Sequence, residues 1–498
     1  MCYGYQNLFE MKTCVIIGGG IGGLVTGALL AKEGYQVTVL EKNAIFGGGL
    51  QNFERHGVSF PTGMHIFGGF QEGGNLRRIF SYLGVLDKIS LRPMDEEGSD
   101  VVTMMSEGKT YRLPRGKDRF IAYLSDCFPA ESAAIEAYIN RLFELSEEED
   151  LFYLRETPEN QLSHSEDFLG SVSRLMDLYI TDPKLKEVLT YLSPLFGSDP
   201  QTTPAYIHAL LSTLHINGTF QFVDGSQQLA DALAEVIEKA GGKVLANKEV
   251  VRIAVENHQI TGVYTHEGQC YQADSYISDV HPDVLLRIID PQAFTTAFKT
   301  RIQSVPETLS SFKVFIKFKD KAFSYLNHSR FCMSDGKDGP RSLMFVTPPV
   351  AHQGEYAETM VILTPMAFSE VKAWENTTRG HRGDAYRQWK FVMKNKVLDG
   401  MEQLYPKFRD TIEFAFAASP LTIRDYYGNK EGSNYGFRKD CDNLMLSQMS
   451  VATKVKNLFL TGQNVNIHGL CGVSLTAIET AEALVGHNTI VRKINESR

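Results

Sequence analysis

Lys12-Thr-Cys-Val-Ile-Ile-Gly-Gly-Gly-Ile-Gly-Gly23, followed by Gln36-Val-Thr-Val-Leu-Glu41, is the stretch that decides the fold. Its opening apolar run has the make-up of a strand buried inside a parallel sheet. Leu24–Glu33 is rich in helix-forming Ala and Leu, Gly34 stops it, and Gln36–Glu41 is a second strand, so the whole reads as one βαβ unit. In that setting Gly18-x-Gly20-x-x-Gly23 acquires a mechanism. Gly18 permits the tight turn, Gly20 lets main chain approach a pyrophosphate, and Gly23 lets helix pack on strand; Gly22 shares the loop. The helix start offers unpaired N–H groups to the anion. Glu41, at the end of the second strand, is placed to accept ribose hydroxyls. The alternative, a glycine-rich turn ending in an exposed Glu, leaves that carboxylate without a purpose. A bound dinucleotide is expected.

Outward from this unit, the composition narrows the class. The chain has 498 residues, 43% hydrophobic and 22% charged, which is ordinary for a globular protein with a sizeable core. Its 50 basic and 59 acidic side chains leave a net charge of −9, which excludes a nucleic-acid partner that would want a basic surface. Of 42 glycines, 17 fall in the first 80 residues, around the motif. Thr13–Ala31 carries no charge, but its glycines and the bounding Lys12 and Lys32 read as turn and helix, not a membrane span. Met1–Glu10 lacks the basic-then-apolar order of a signal peptide; it reads as an unstructured leader, with Met11 as the alternative start. Seven scattered cysteines without a CxxC pair read as reduced, which fits a cytoplasmic protein. Thirteen histidines show no metal-ligand spacing, and no metal is expected.

Further along, helical segments are expected from about residue 70 to 215, with Glu147–Asp150 as a solvated face or loop and Ala205–Ile216 as a helix. A second block carries a helix over Leu229–Ala240 and strands over Lys243–Leu245 and Glu249–Ile253. Gln259–Thr265 and Gln269–Ile277 read as a hairpin. Phe312, Val314, Ile316 and Phe318 alternate with Lys313, Phe315 and Lys317, a strand with one oily face. Ser342–Thr347 and Thr359–Thr364 are its expected neighbours, and Asn457–Gly462 is a strand before a helix from Gly472 to Val485. The fold class is α/β: a Rossmann-like dinucleotide domain interleaved with a substrate domain of mixed sheet and helices. Residues 11–95, 218–300 and 405–498 form the first; 96–217 and 301–404 form the second.

These segments resemble FAD-binding oxidoreductases of the phytoene desaturase, carotenoid isomerase and flavin amine oxidase superfamily. Phe60-Pro-Thr-Gly-Met-His-Ile-Phe-Gly68 is similar to the "FDTGIHYIG" segment of its retinol saturase branch (all-trans-retinol 13,14-reductases). Gly225-Ser-Gln-Gln-Leu with Gly241-Gly-Lys-Val, Pro420-Leu-Thr-Ile-Arg-Asp-Tyr, Glu431-Gly-Ser-Asn-Tyr-Gly436 and Asn457-Leu-Phe-Leu-Thr-Gly-Gln463 resemble later motifs of that branch. The resemblance implies FAD as cofactor. Gly18, Gly20, Gly22, Gly23 and Glu41 would hold its adenosine half, with Val250 or Val251 touching the adenine. Lys42, Gly47, Gly48 and Gly49, with Thr62 and Gly63, would follow the phosphate and ribityl side. Gly462, Gln463 and Asn464 would continue it, and the helix near Gly472 and Val473 would aim its positive end at the flavin. The chain departs from the branch at Asn464, usually acidic, at Pro61, usually Asp, and at Gly49, where phytoene desaturases carry Arg.

His468, His65 and Tyr435 are the candidates to supply or accept a proton; each also reads as a packed core side chain. Phe312–Phe318 with Met344, Phe345, Met360 and Ile362 reads either as the wall of an oily tunnel or as an ordinary sheet core. The implied reaction is reduction of a carbon–carbon double bond in a hydrophobic polyene or isoprenoid, as in retinol saturases; desaturation or isomerisation is the alternative. An amine oxidase on a polar substrate would need aromatic-cage residues, and Trp occurs twice. A non-catalytic binder of prenylated proteins on the same architecture would not need the phosphate-binding glycines and Glu41. The external electron partner is not legible. A lipid-like substrate also raises peripheral membrane contact, with Tyr206–Leu214 as the helix for it or, alternatively, as core.

Overall fold

The computed structural model describes residues 11–158, 164–194, 196–336 and 340–497; the expected leader and Cys2 lie outside the described residues. In chain order, the elements that place the site begin with β1 (Thr13–Ile17), α1 (Ile21–Lys32), β2 (Gln36–Leu40), β3 (Asp100–Met104) and β4 (Lys109–Leu113). Next come α2 (Ala205–Ile216), α3 (Gln227–Lys239), β5 (Lys243–Leu245), β6 (Val250–Glu256) and β7 (Ser275–Ser278). They continue with β8 (Ser310–Phe318), β9 (Ser329–Met333), β10 (Ser342–Val346), β11 (Thr359–Met366), α4 (Gly383–Leu404), β12 (Ile412–Ala418), β13 (Leu458–Leu460) and α5 (Gly469–Val485).

A five-stranded sheet runs β13-β7-β1-β2-β5, every neighbour parallel. Its apolar strands need cover on both faces, and α1 is packed between the sheet, α3 and α5. α1 begins at Ile21, three residues before the expected start, because Gly22 and Gly23 belong to its first turn. A β-carbon on Gly23 would collide with the Gly18 carbonyl, so helix-on-strand contact overrides the poor helix propensity of glycine. The same logic moves the start of α5 from Gly472 back to Gly469: Gly472 lies bare against the Ile467 backbone.

The second sheet has seven strands in the order β12-β8-β11-β10-β9-β3-β4, antiparallel except for β9 beside β3. β3 and β4 interrupt the stretch expected to be helical. All five residues of β3 are buried, so it shows none of the alternation that marks a half-exposed strand. β12 also joins this sheet, although the sequence assigns 405–498 to the dinucleotide unit; we propose that the boundary falls after it, at Ser419. The expected hairpin over 259–277 is only half right. Gln259–Thr265 pairs with Cys270–Tyr271, but β7 then crosses to lie parallel to β1. Asp274 anchors the crossing by accepting hydrogen bonds from the Thr13 N–H and hydroxyl, both at 2.8 Å.

β8 has no solvent face. On one side Phe312, Val314 and Ile316 pack with Phe345, Met360 and Ile362 against Val397, Leu398 and Met401 of α4. On the other, the Phe315 ring meets Phe53 and Phe60 at 5.2 and 5.7 Å between centroids. Both Trp residues lie in an aromatic cluster with Tyr386 of α4, and Trp389 meets Phe312 edge-on. α2 has the bounds expected for it and is buried along almost its whole length, so its oily surface is core and not membrane-facing. Among the described residues no single helix is long and apolar enough to cross a membrane. Glu149 is half-buried instead of fully solvated, and burial, then Asp150, raises its carboxyl to about 7. The six described cysteines are unpaired.

Candidate functional site

One cavity of about 500 Å3 opens where the carboxyl ends of β1, β2 and β7 face the seven-stranded sheet. Open α/β sheets bind ligands outside the carboxyl ends of their strands. One wall is glycine and backbone: Gly18, Gly20 and Gly22 from the β1–α1 turn, Gly48 and Gly49 from the next loop, and Gly63. Gly18, at φ 104°, and Gly48, at φ 56°, adopt left-handed backbone that side-chain-bearing residues avoid. Glu41 stands among them, 6% exposed. Its two oxygens accept the N–H groups of Gly19 (2.9 Å) and Asn43 (2.8 Å), which fixes the carboxylate at the strand end and leaves lone pairs for hydroxyls. Lys42, Val250, Gln463, Asn464 and Val473 also line the cavity.

Six of the residues expected to touch the ligand stand behind this wall. Gly23 is the helix–strand contact described above. Gly47 donates its N–H to the Gly19 carbonyl (2.7 Å) and fastens the two loops together. The Thr62 hydroxyl donates to the Gln51 carbonyl (2.8 Å). A β-carbon on Gly462 would meet the Asp279 carboxyl, and Gly472 packs inside α5. Val251 is 43% exposed, because strand alternation turns it away from Val250.

The opposite wall is oily. Met64, Ile66 and Phe67 contribute from the 60–68 segment, Leu211 and Leu214 from α2, Met344 from β10 and Leu363 from β11. Of the residues expected to form a tunnel, Met344 is the apolar one that reaches it among the described residues, with Lys313 beside it. Phe312, Phe345, Met360 and Ile362 face α4.

His65, Tyr435 and His468 all line the cavity. The rings of Tyr435 and His468 lie 4.6 Å apart, with Phe196 at 5.7 and 5.9 Å from them. Burial and then Lys313 hold His65 neutral, well below the ordinary imidazole value, and neither ring nitrogen has a hydrogen-bond partner among the described residues. Burial, then Lys439, lowers His468 to about 3. Burial raises the Tyr435 phenol. The two imidazoles are neutral near pH 7 and the phenol holds its proton more tightly than usual, so none is a ready acid.

Three further groups were missed by the sequence reading. Lys313 was assigned to a polar strand face, yet it is 6% exposed. Burial lowers it to about 8, and its Nζ donates to the Thr62 carbonyl (2.9 Å) in the cavity wall. Asp279 follows β7 and faces the start of α1. Burial and then the Glu41 charge raise it to about 7, against the pull of the Gly23 and Gly20 N–H groups. His215 ends α2 in the cavity wall, its Nδ1 at 2.7 Å from the buried Asp100 carboxylate. A lysine amid a phenylalanine-rich strand and an acid at a strand end next to the glycine turn were the available signals; His215 in its apolar helix gave none.

The wall of bare glycines, a fixed carboxylate and a helix N-terminus is a fit for a dinucleotide, and the family model for flavin-containing amine oxidoreductases matches residues 21–485. The chain belongs to this family. Its cofactor is FAD. The chain is 26% identical to the all-trans-retinol 13,14-reductase of Danio rerio over 96% of this chain and 87% of that one. It is 24% identical to the chloroplastic prolycopene isomerase 1 of an Oncidium hybrid cultivar, over 91% and 80%. An oxidoreductase from Methanosarcina mazei has the same fold: TM-score 0.67 at 17% identity, covering 94% of this chain and all of that one. The family assignment accounts for the five-stranded sheet and the glycine wall together.

Proposed function

We propose that the protein transfers hydride between FAD and a carbon–carbon double bond of a hydrophobic polyene or isoprenoid, with reduction as the physiological direction. The observation that carries this reading is the composition of the wall built by α2, β10 and β11. Among the described residues, Leu211, Leu214, Met344 and Leu363 offer apolar surface there, and the carboxylates that line the cavity, Glu41, Glu249 and Asp279, belong to other elements. Lys313 adds a cation, which repels a substrate ammonium. The likeness to retinol reductases supports the same substrate class.

In this reading Gly18, Gly20, Gly22 and Glu41 hold the adenosine and pyrophosphate, with the adenine against Val250. Lys42, Gly48, Gly49 and Gly63 border the ribityl side with Gln463 and Asn464. Val473 and the start of α5 face the flavin. Gly23, Gly47, Thr62, Gly462 and Gly472 shape that cradle without touching it. Bound flavin supplies the hydride chemistry; the protein supplies orientation and a dry wall.

The test is anaerobic mixing of dithionite-reduced protein with a panel of retinoids, carotenoids and isoprenoids, followed by mass spectrometry. Flavin reoxidation with a product two hydrogens heavier is expected. A product two hydrogens lighter from oxidised protein would make it a desaturase. Unchanged mass with altered retention would make it an isomerase. No reaction across the panel would overturn the polyene reading.

A further inference from the structure

Adding hydrogen across a double bond takes a hydride on one carbon and a proton on its neighbour, so the cavity needs an acid. The Lys313 ammonium is engaged by the Thr62 carbonyl and the Asp279 carboxyl by the Gly20 and Gly23 N–H groups, and beside them four imidazoles line the cavity: His65, His215, His281 and His468. His65 and His468 are held neutral by burial. His281 is paired with Glu307 through Nε2 (3.2 Å), but its Nδ1 accepts the Asp283 N–H (3.2 Å), so both nitrogens are spent. His215 differs. Its Nδ1 lies 2.7 Å from Asp100 Oδ2, and Nε2 has no hydrogen-bond partner among the described residues. Asp100 is itself clamped: the Tyr191 hydroxyl donates to Oδ2 at 2.7 Å, and the Ser329 hydroxyl donates to Oδ1 from the register-paired residue of β9. Burial pushes this carboxyl up, but His215, Ser329 and Tyr191 together bring it below its ordinary value, so it stays ionised. An ionised carboxylate fixes the ring's orientation and supplies the countercharge that a buried imidazolium requires.

We propose that His215 is the proton donor to substrate carbon and that Asp100 positions it. This rests on the reductive reading above. One alkene carbon receives a hydride from the reduced flavin, the π pair closes on the neighbouring carbon, and that carbon takes the proton from His215 Nε2. The flavin is oxidised by two electrons, the alkene is reduced to a single bond, and neutral His215 regains its proton from water. Phe196, whose ring centroid is 6.1 Å from His215 and 5.9 Å from His468, ties this residue to the flavin-side group of the cavity.

The experiment compares wild type, His215→Gln, His215→Ala and Tyr191→Phe as FAD-loaded proteins. The readouts are flavin content, polyene binding by quenching of flavin fluorescence, and single-turnover reoxidation by the polyene. The proposal requires His215→Gln to bind flavin and polyene like wild type and reoxidise about 100-fold slower. His215→Ala must regain rate when free imidazole is added, which a merely structural role would not give. Tyr191→Phe, which leaves His215 in place, must slow reoxidation without changing binding. Wild-type rates in His215→Gln, or absence of imidazole rescue, overturn the proposal alone. Failure of wild-type protein to reduce any polyene overturns the reductive reading and this proposal with it.

Discussion

Asp279→Asn keeps the shape of the side chain beside the α1 N-terminus and removes its ionisation. In the folded protein the carboxyl is raised from 3.8 to about 7, with burial first and the Glu41 charge after it as causes. At 1.36 kcal/mol per pH unit, that rise corresponds to about 4 kcal/mol, an upper bound that solvent on the cavity side trims to about 2. The sign follows from the direction. A folded-state value above the unfolded one means that folding favours the protonated acid, so stability is fully present near pH 4 and is lost as pH rises through 7. Asparagine mimics the protonated form at every pH. The assay is urea unfolding of FAD-stripped wild type and variant between pH 4.5 and 8. The variant is expected to match wild type at the acid end and to exceed it by about 2 kcal/mol at pH 8. A difference that stays constant across this range, or a variant weaker at pH 8, refutes the placement of a desolvated acid beside Glu41 at this helix start.

Gly23→Ala drives a β-carbon into the Gly18 carbonyl, so it is expected to lose bound flavin and about 2 kcal/mol of stability, read from visible absorbance and the urea midpoint. Full flavin content with an unchanged midpoint would contradict the packing described. Lys313 is lowered by burial to about 8, so wild-type reoxidation should change through an apparent pKa near 8, and Lys313→Met should flatten that limb of the pH profile. A limb that survives the substitution assigns the titration elsewhere.

What the sequence made legible follows from how locally each feature is specified. The βαβ unit was readable because apolar runs, glycine punctuation and Glu41 act within thirty residues of one another, and the two strands pair in register as Cys14 with Val37 and Ile17 with Leu40. α2 was readable to the residue because Pro204 opens it and Asn217 caps it. β3 was not, because a strand covered on both faces carries no period. Lys313 was misread for the same reason: a polar residue between phenylalanines looks solvent-facing until α4 and the 52–61 hairpin are known to cover both sides of β8. His215 and Asp100 lie 115 residues apart, and the clamp on Asp100 gathers Tyr191, His215 and, through the parallel pairing of β3 with β9, Ser329 from distant parts of the chain. Val250 and Val251 could not be separated by type, only by strand alternation.

β13, the edge strand beside β7, comes from Leu458–Leu460, so the sheet that carries the glycine turn closes only after every other strand of both sheets has been made. During synthesis the βαβ unit and β7 emerge earlier and wait with the outer edge of β7 open and α1 uncovered by α5, exposing apolar surface that a chaperone or a misdirected strand would find. The interleaving that joins the two sheets around one cavity thus sets an order of assembly, in which flavin capture is a late event.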